Sequence, residues 1–309
     1  MKAVRVHIFG GPEVIVIEEL PIPSPGRGEL VVRVAAAGVG PWDALVRDGK
    51  SKVSPPPPLT LGSDLSGVVE AVGARVAEFR VGDQVYGVTN PQFCGANAEY
   101  AVASAAMIAR KPERLSHIEA ASVPVVAVTA WQMLFEYAKV TTGQRILILG
   151  AAGNVGAYVV QLGARAKLHV IATAGSKDTE YVRSLGAETI IDIKAGKFED
   201  SVAPVDAVID TVGGDTRGGS FRILKPGGIL VSSVSTDPLP KRSDVRTVLF
   251  YVDVTMARLD NIKGLVDGGE LVTHVGSVLP LEKARTAHEM LAGAPHKRGK
   301  IVLTALDRL

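Results

Sequence analysis

The chain has 309 residues, of which 47% are hydrophobic, and its 34 basic and 32 acidic side chains give a formal charge of +2. Because no long run of one charge sign occurs, the sequence argues against a nucleic-acid partner and against binding to acidic lipid. The single cysteine, Cys94, excludes an intrachain disulfide and a zinc site made of several cysteines.

The length favours two domains, since one hydrophobic core rarely grows to this size. The N-terminal residues lack the charged-then-apolar plan of a signal peptide, and no apolar run reaches membrane-spanning length. We therefore expect a cytoplasmic protein without a membrane segment.

Short Val-rich segments separated by Gly and Pro predict strands in the first part of the chain. They cover residues 3–8, 29–36, 67–72, 84–86 and 99–102. Many short strands with turn residues between them are typical of a barrel-like β domain, which we expect over residues 1–117.

Beyond residue 117 the pattern changes to alternating helices and strands. Helices are predicted over 118–137, 153–165 and 177–185, and strands over 146–149, 170–173, 190–191, 207–209 and 229–232. This alternation predicts an α/β domain with a parallel, doubly wound sheet. A helix near 281–291 and a strand over 300–304 follow, and periodicity alone does not assign them to either domain.

A glycine-rich turn joins the strand over 146–149 to the helix over 153–165. Unpaired N–H groups and the positive end of the helix dipole suit phosphate, small residues permit close approach, and Gly156 would let the helix pack on the strand. Ala151 replaces the first glycine of the usual G-x-G-x-x-G pattern, and an ordinary strand–turn–helix corner is the alternative. We predict a dinucleotide site formed by Gly150, Ala151, Ala152, Gly153, Asn154, Val155 and Gly156.

The end of the second strand of this domain bears on which dinucleotide binds. An NAD enzyme places an acid there for the ribose 2′-hydroxyl, whereas this chain has Thr173 and Ala174. Ser176 and Lys177 offer a hydrogen bond and a positive charge to a 2′-phosphate, so NADPH is predicted. The alternative is that Ser176 is a helix N-cap and Lys177 a solvated residue, beside Asp178.

Eight short motifs, in a fixed order along nearly the whole chain, carry a family resemblance. They are AGVGPWD at 37–43, LGSDLSGVVEAVG at 61–73, VGDQVYG at 81–87, AEY at 98–100, AASVP at 120–124, TA at 129–130, the glycine turn, and GKIVL at 299–303. With them the chain resembles the medium-chain dehydrogenase/reductase superfamily, in its zinc-free quinone oxidoreductase branch, which includes zeta-crystallin. The resemblance implies a GroES-like domain formed by residues 1–117 and 270–309, a Rossmann domain over 118–269, and a homodimer.

The resemblance also implies roles for further residues in cofactor binding. Thr129 matches a cofactor-contacting threonine, although a helix hydroxyl bonded to its own backbone is the alternative. Two segments match the lining of the nicotinamide, with simple packing as the alternative; they comprise Ser232, Val234, Ser235, Phe250, Tyr251 and Val252.

Zinc alcohol dehydrogenases of the same superfamily carry Cys near position 40 and a His-Glu pair at 63 and 64. This chain has Gly40, Ser63 and Asp64, so no metal is predicted. The zinc-free branch itself usually has Asn at position 40 and often a tyrosine near Ile193, and both are missing here.

The substrate pocket is predicted from Trp42, Ser63, Asp64 and Tyr86. Trp42 would form an aromatic wall over a flat substrate, and Ser63 or Tyr86 would donate a hydrogen bond to its oxygen. Packing within the domain is an equally good interpretation of Trp42. For Asp64, an equally good interpretation is that it braces a loop.

The predicted activity is hydride transfer from NADPH to a small molecule, either a quinone or the C=C bond of an α,β-unsaturated carbonyl compound. One alternative is an enoyl-thioester reductase, for which Lys241 with Arg242, or the basic residues 296–298, would bind coenzyme A phosphates. The other is a non-catalytic NADPH-binding sensor or structural protein.

Overall fold

The computed structural model describes residues 1–194, 196, 198–200, 202–234 and 242–305. The chain forms two compact units: a flanking unit of Met1–Val125 with Val254–Leu309, and a central unit of Val126–Asp253. In the described ranges no helix is both long and apolar enough to cross a membrane.

The secondary structure elements are given in chain order. The strands are β1 (Lys2–Val6), β2 (Val16–Glu19), β3 (Glu29–Val39), β4 (Leu59–Thr60), β5 (Asp64–Val72), β6 (Gln84–Val88), β7 (Tyr100–Ser104), β8 (Ile108–Arg110), β9 (Arg145–Leu149), β10 (His169–Ala174), β11 (Thr189–Asp192), β12 (Val205–Asp210), β13 (Leu224–Ser232), β14 (Arg246–Leu249), β15 (Val275–Pro280) and β16 (Lys300–Thr304). The α-helices are α1 (Pro41–Arg47), α2 (His117–Ala120), α3 (Pro124–Trp131), α4 (Asn154–Arg165), α5 (Thr179–Ser184), α6 (Asp215–Ile223), α7 (Met256–Asp267) and α8 (Ala284–Leu291).

The flanking unit is built on a large sheet with the strand order β15-β16-β3-β5-β6-β8, in which β7 also pairs with β3. A smaller sheet has the order β2-β1-β4. The C-terminal strand β16 pairs antiparallel with β3, so that Val302 lies opposite Gly38. This pairing answers the question that periodicity left open, because the tail returns to the first unit as the GroES-like fold requires.

The central unit is a six-stranded parallel sheet with the order β11-β10-β9-β12-β13-β14. Numbered within the unit, this order is 3-2-1-4-5-6, the arrangement of dinucleotide-binding sheets. Strands β9 and β12 are buried and apolar over most of their length, as strands covered by helices on both faces must be. The predicted α/β fold with a parallel, doubly wound sheet is confirmed.

The unit boundaries lie after Val125 and after Asp253, whereas the sequence placed them after residues 117 and 269. Helix α7 explains the second difference, since it packs against β8 and its Leu259 carbonyl accepts a hydrogen bond from Tyr86 at 2.7 Å. The single helix predicted over 118–137 is wrong. Pro124 disfavours helical conformation in the preceding residue, so α2 ends at Ala120 and α3 begins anew, continuing as a π-helix over Gln132–Ala138.

Candidate functional site

The glycine turn lies at the carboxyl end of β9, where the order of the sheet reverses between β9 and β12. Gly150 adopts a φ of +79°, a conformation that glycine takes without steric cost. Its N–H donates to the Thr173 hydroxyl at 3.2 Å, and its carbonyl accepts from Gly153 N–H at 3.0 Å. Ligands of doubly wound sheets bind at this reversal point.

Gly156 allows helix α4 to approach the turn closely. A Cβ atom at this position would lie 2.2 Å from the Gly150 carbonyl oxygen and 2.8 Å from the Ala151 Cα. Both neighbours are backbone atoms that cannot rotate away, so only glycine fits. This contact agrees with the packing role predicted for Gly156.

The start of α4 presents backbone donors without a side-chain cap. Gly153 is the N-cap, with an extended backbone, and it has no side chain to bond the first N–H groups of this 12-residue helix. Gly153 is exposed, while Ala152, Asn154 and Val155 are half-buried. Donors of this kind, at the positive end of a helix dipole, are suited to phosphate oxygens.

The loop after β12 supports the glycine turn from the other side of the reversal point. Thr211 donates its hydroxyl to the Leu149 carbonyl at 2.7 Å. A Cβ at Gly150 would lie 2.6 Å from Val212 Cγ2 and 2.8 Å from Thr211 Oγ1, so the loop and the turn are in direct contact. Sequence reasoning missed this loop.

Asp210, at the end of β12, organises the loop and fixes Ser232. The carboxylate is fully buried and accepts hydrogen bonds from Val212 N–H at 3.0 Å and Gly213 N–H at 2.8 Å. Ser232 donates its hydroxyl to the same carboxylate at 2.8 Å. An acid closing an apolar strand, in Val-Ile-Asp at 208–210, was the available signal.

The end of β10 carries no acid, but the neighbouring strand supplies one. Ser176 donates its hydroxyl to Asp192 at 2.6 Å, and strand register places Ala174 opposite Asp192. The hydrogen bond from Ser176 lowers the pKa of Asp192, so the group is a carboxylate at neutral pH. Sequence reasoning missed Asp192 because pairing between parallel strands cannot be read from spacing.

Ser176 is not a helix N-cap, so that alternative is wrong. Gly175 precedes the short 3-10 segment Ser176–Asp178, and Asp178 is the N-cap of α5. Ser176 and Lys177 are both exposed, whereas Thr173 is buried.

The residues predicted from the resemblance differ in their surroundings. Thr129 is buried in α3, and the Phe250 ring lies 4.4 Å from that of Tyr137 between centroids. Val234 and Tyr251 are exposed by 51% and 68% of their surface. Val252 is half-buried, and Ser235 lies outside the described residues.

The flanking unit contains a buried charged cluster, which we name the Lys300 cluster, formed by Asp43 of α1, Asp64 of β5 and Lys300 of β16. The Lys300 ammonium lies 2.9 Å from Asp64 Oδ2, and the other Asp64 oxygen accepts from Val125 N–H at 3.1 Å. The side chains of Asp64 and Lys300 are 0% and 2% exposed, so this ion pair is shielded from water.

Asp43 is the second acid of the cluster and differs from Asp64 in its contacts. Its Oδ2 accepts from Gly40 N–H at 2.7 Å, while among the described residues no hydrogen-bond partner reaches its Oδ1. Burial raises the pKa of Asp43 to about 7 against the opposing effects of the Gly40 hydrogen bond and Lys300. Below that pH Asp43 is therefore mostly neutral, and burial raises the pKa of Asp64 as well against the opposing effect of Lys300.

Trp42 lies against this cluster on α1. Its indole N–H donates to the Ser63 hydroxyl at 2.8 Å, and Lys300 Nζ lies 4.0 Å from the ring centroid. A Cβ atom at Gly40 would lie 2.4 to 2.6 Å from three atoms of the same ring. The indole thus occupies the space that a side chain at position 40 would need.

Of the four predicted pocket residues, Trp42 and Asp64 both contact Lys300, and Ser63 accepts a hydrogen bond from Trp42. The hydroxyl of the fourth, Tyr86, donates to the Leu259 carbonyl. Ser63, Asp64 and Tyr86 are fully buried, so Trp42 alone of the four retains exposed surface.

Comparison with known proteins decides the family. Residues 26–113 match the family model described as alcohol dehydrogenase GroES-like domain, and residues 185–303 match the one described as zinc-binding dehydrogenase. The quinone oxidoreductase of Lama guanicoe is 31% identical over 98% of this chain and 97% of its own length. The chain belongs to the medium-chain dehydrogenase/reductase superfamily, in its quinone oxidoreductase branch.

Two further relatives show how far the similarity extends. The human mitochondrial NAD(P)H oxidoreductase RTN4IP1 is 32% identical over 90% of this chain and 82% of its own. The structure of the quinone oxidoreductase from Coxiella burnetii aligns with a TM-score of 0.91 at 33% identity, covering 98% of this chain and 99% of that one.

Membership of this superfamily makes the chain an oxidoreductase and implies a nicotinamide cofactor. The residues of the central unit fit that cofactor, because the uncapped start of α4 and the close contact at Gly156 leave backbone donors for a pyrophosphate.

Proposed function

We propose that this medium-chain reductase is zinc-independent and NADPH-dependent, and that it transfers hydride to a quinone or to the C=C bond of an α,β-unsaturated carbonyl compound. The observation that carries the proposal is the uncapped N-terminus of α4 at the reversal point of the sheet, held by Gly150 and Gly156. We also propose a cytoplasmic location and a homodimer, the second of which the family resemblance supports.

The chain's own residues have binding and orienting tasks in this reaction. The first N–H groups of α4 bind the pyrophosphate, and the Asp210 loop holds the turn in place from the β12 side. A bound reduced nicotinamide supplies the hydride, and one proton from solvent completes the hydroquinone or the saturated carbonyl product.

The positions that would hold a catalytic zinc do not fit the metal. Asp64 already bonds the Lys300 ammonium and the Val125 N–H, so both of its oxygens are occupied. Ser63 accepts from Trp42, and a serine hydroxyl is a poor substitute for a thiolate or an imidazole. A Zn²⁺ ion beside Lys300 would also meet a buried positive charge, and these contacts support zinc independence.

The preference for NADPH has support and one opposing feature. Lys177 is exposed near the end of β10, and that strand ends on Ala174 without an acid. Asp192, bonded to Ser176, places a negative charge that would repel a 2′-phosphate. We therefore assign the preference for NADPH over NADH to Lys177, and we expect Asp192 to weaken that preference.

Arg242, one of the basic residues named for the enoyl-thioester alternative, already has partners in its own unit. Arg242 is paired with Asp244 at 2.6 Å and also donates to the Phe221 carbonyl, and Lys241 lies outside the described residues. An arginine with these partners offers little to a coenzyme A phosphate.

The test is a comparison of acceptors with the whole protein. Loss of reduced-nicotinamide absorbance is followed with NADPH and with NADH, against quinones, enones and enoyl thioesters, with and without a chelator. We expect chelator-insensitive turnover of quinones or enones that is faster with NADPH. Turnover lost on chelation would refute zinc independence, and NADPH binding without turnover of any acceptor would favour the non-catalytic alternative.

A further inference from the structure

We propose that the indole of Trp42 is the surface on which a planar acceptor ring stacks, and that Gly40 is needed because this indole fills the place of its side chain. The inference rests on the proposed function and narrows its acceptor to a flat, conjugated ring such as a naphthoquinone. Its starting observation is the distance of 2.4 to 2.6 Å between a Cβ at Gly40 and three indole atoms.

Two contacts fix the indole in one orientation. The hydrogen bond from its N–H to Ser63 is 2.8 Å long, and the Lys300 ammonium lies 4.0 Å from the ring centroid. Since both partners are buried, neither can move without disturbing the core of the flanking unit. An aromatic ring held in this way loses little conformational entropy when a ligand stacks on it.

Trp42 is half-buried, and exposed apolar side chains occur on the same helix and just beyond its end. Leu45 lies three residues further along α1, on the same side of the helix, and is 47% exposed. The Phe9 ring lies against Gly49 just beyond the helix, where a Cβ would be 2.7 Å from it, and is 44% exposed. Exposed apolar side chains on and beyond the helix that carries Trp42 suit an uncharged ring more than a polar ligand.

The chemistry of the indole selects among acceptors. Its electron-rich face attracts an electron-poor ring in an offset stack, and a quinone or an aryl enone offers such a ring. A small aliphatic enone such as methyl vinyl ketone has no ring and gains nothing from the indole. The stacking contribution corresponds to about a tenfold difference in kcat/KM.

The experiment measures the ratio of kcat/KM for naphthoquinone to that for methyl vinyl ketone in three proteins. We expect Trp42→Ala to lower this ratio about tenfold and Trp42→Phe to keep most of it, while the Kd for NADPH stays unchanged. An unchanged ratio in Trp42→Ala, or an equal loss for both acceptors, would overturn the proposal.

The Gly40 part of the inference has its own test. Gly40→Asn alone should lower Tm and the naphthoquinone rate, because the new side chain meets the indole. The double variant Gly40→Asn/Trp42→Ala should recover Tm, since the space is then free. If Gly40→Asn has wild-type Tm and the wild-type acceptor ratio, the two positions are not coupled as proposed.

A binding measurement separates this proposal from the proposed function. The chain has two tryptophans, so Trp131→Phe leaves Trp42 as the sole indole and its fluorescence reports on this site. Naphthoquinone should quench that fluorescence with saturation, whereas Trp42→Phe, which retains Trp131, should show no saturable quenching. Saturable quenching without turnover would refute the reductase and keep the stacking site; turnover without saturable quenching would refute the stacking site alone.

Discussion

The glycine turn of the central unit and the Lys300 cluster of the flanking unit solve the problem of a polar site in opposite ways. The phosphate site proposed for the turn relies on backbone groups of residues 150–156, and a side chain at Gly156 would meet backbone atoms of the turn. The cluster uses the side chains of Asp43, Asp64 and Lys300, which are distant in sequence, and fails if one is removed. A backbone site is therefore sensitive to volume, and a buried charged cluster is sensitive to charge.

The largest effect is expected on stability when Lys300 is replaced by Met. Lys300→Met leaves the Asp64 carboxylate buried beside no cation, which costs about 3 to 5 kcal/mol in the free energy of unfolding. The double variant Asp64→Asn/Lys300→Met should recover part of this loss, because both charges are then gone. Urea unfolding measures both, and a loss below about 1 kcal/mol in the single variant would show that the pair is not shielded as described.

Gly156→Val tests the sensitivity of the glycine turn to added side-chain volume. Its Cβ would lie 2.2 Å from the Gly150 carbonyl oxygen, so the turn must shift. We expect about a hundredfold loss in kcat/KM for NADPH, because a displacement of about 1 Å misaligns a bound cofactor. Gly218→Val is the matched control, since Gly218 lies in α6 and no atom of the described residues is within 4 Å of an added Cβ. Equal kcat/KM in the two variants would contradict the assignment of the turn.

Asp43→Asn tests the charge sensitivity of the Lys300 cluster through the pH dependence of stability. Burial raises the pKa of Asp43 from 3.8 to about 7, so between these values the folded protein holds a proton that the unfolded chain releases. Stability contributed by that proton falls as the pH rises from about 4 to about 7. We expect Asp43→Asn to gain stability relative to wild type across this window, as measured by urea unfolding at several pH values.

Asp48→Asn, one residue beyond the same helix, is the control. Against the opposing effect of burial, hydrogen bonds from Arg47 and Lys50 lower the pKa of Asp48. Its pH dependence therefore lies below about pH 4 and should be flat above it. A flat difference for Asp43→Asn as well would mean that Asp43 is ionised throughout the window.

The smallest effects concern the choice between NADPH and NADH, because Lys177 is exposed and Asp192 is only half-buried. Lys177→Ala should raise the KM for NADPH about threefold without changing that for NADH, and Asp192→Asn should lower the KM for NADPH by a similar factor. Glu188→Gln makes the same charge change just before the other end of β11 and should alter neither. If Lys177→Ala weakens both cofactors equally, the predicted preference has no basis in that lysine.

Sequence reasoning predicted the central unit well because its signals are local. The apolar strand, the glycine turn and the helix follow one another between residues 145 and 165, so these elements could be predicted without knowing the fold. Helix α6 went unpredicted because its sequence, DTRGGSFRI, contains two glycines and no apolar stripe.

The polar contacts of the flanking unit were not predicted because they join segments that are distant in sequence. Nothing in the spacing of Asp64 and Lys300 indicates a pair, which forms only when β16 returns to β3. The place of Asp192 beside Ser176 depends likewise on the register of β10 with β11. The fit of Trp42 against Gly40 had one available signal, the tryptophan two residues after a glycine at the start of α1.

The most direct test of the central claim, that this chain uses bound NADPH to reduce a small acceptor, is a single-turnover measurement. Protein loaded with NADPH is mixed anaerobically with naphthoquinone in the presence of a chelator, and loss of nicotinamide absorbance is followed with the yield of hydroquinone. We expect one equivalent of hydroquinone for each NADPH oxidised, and a much slower reaction in Gly156→Val. NADPH that remains bound and unoxidised over many minutes would contradict it.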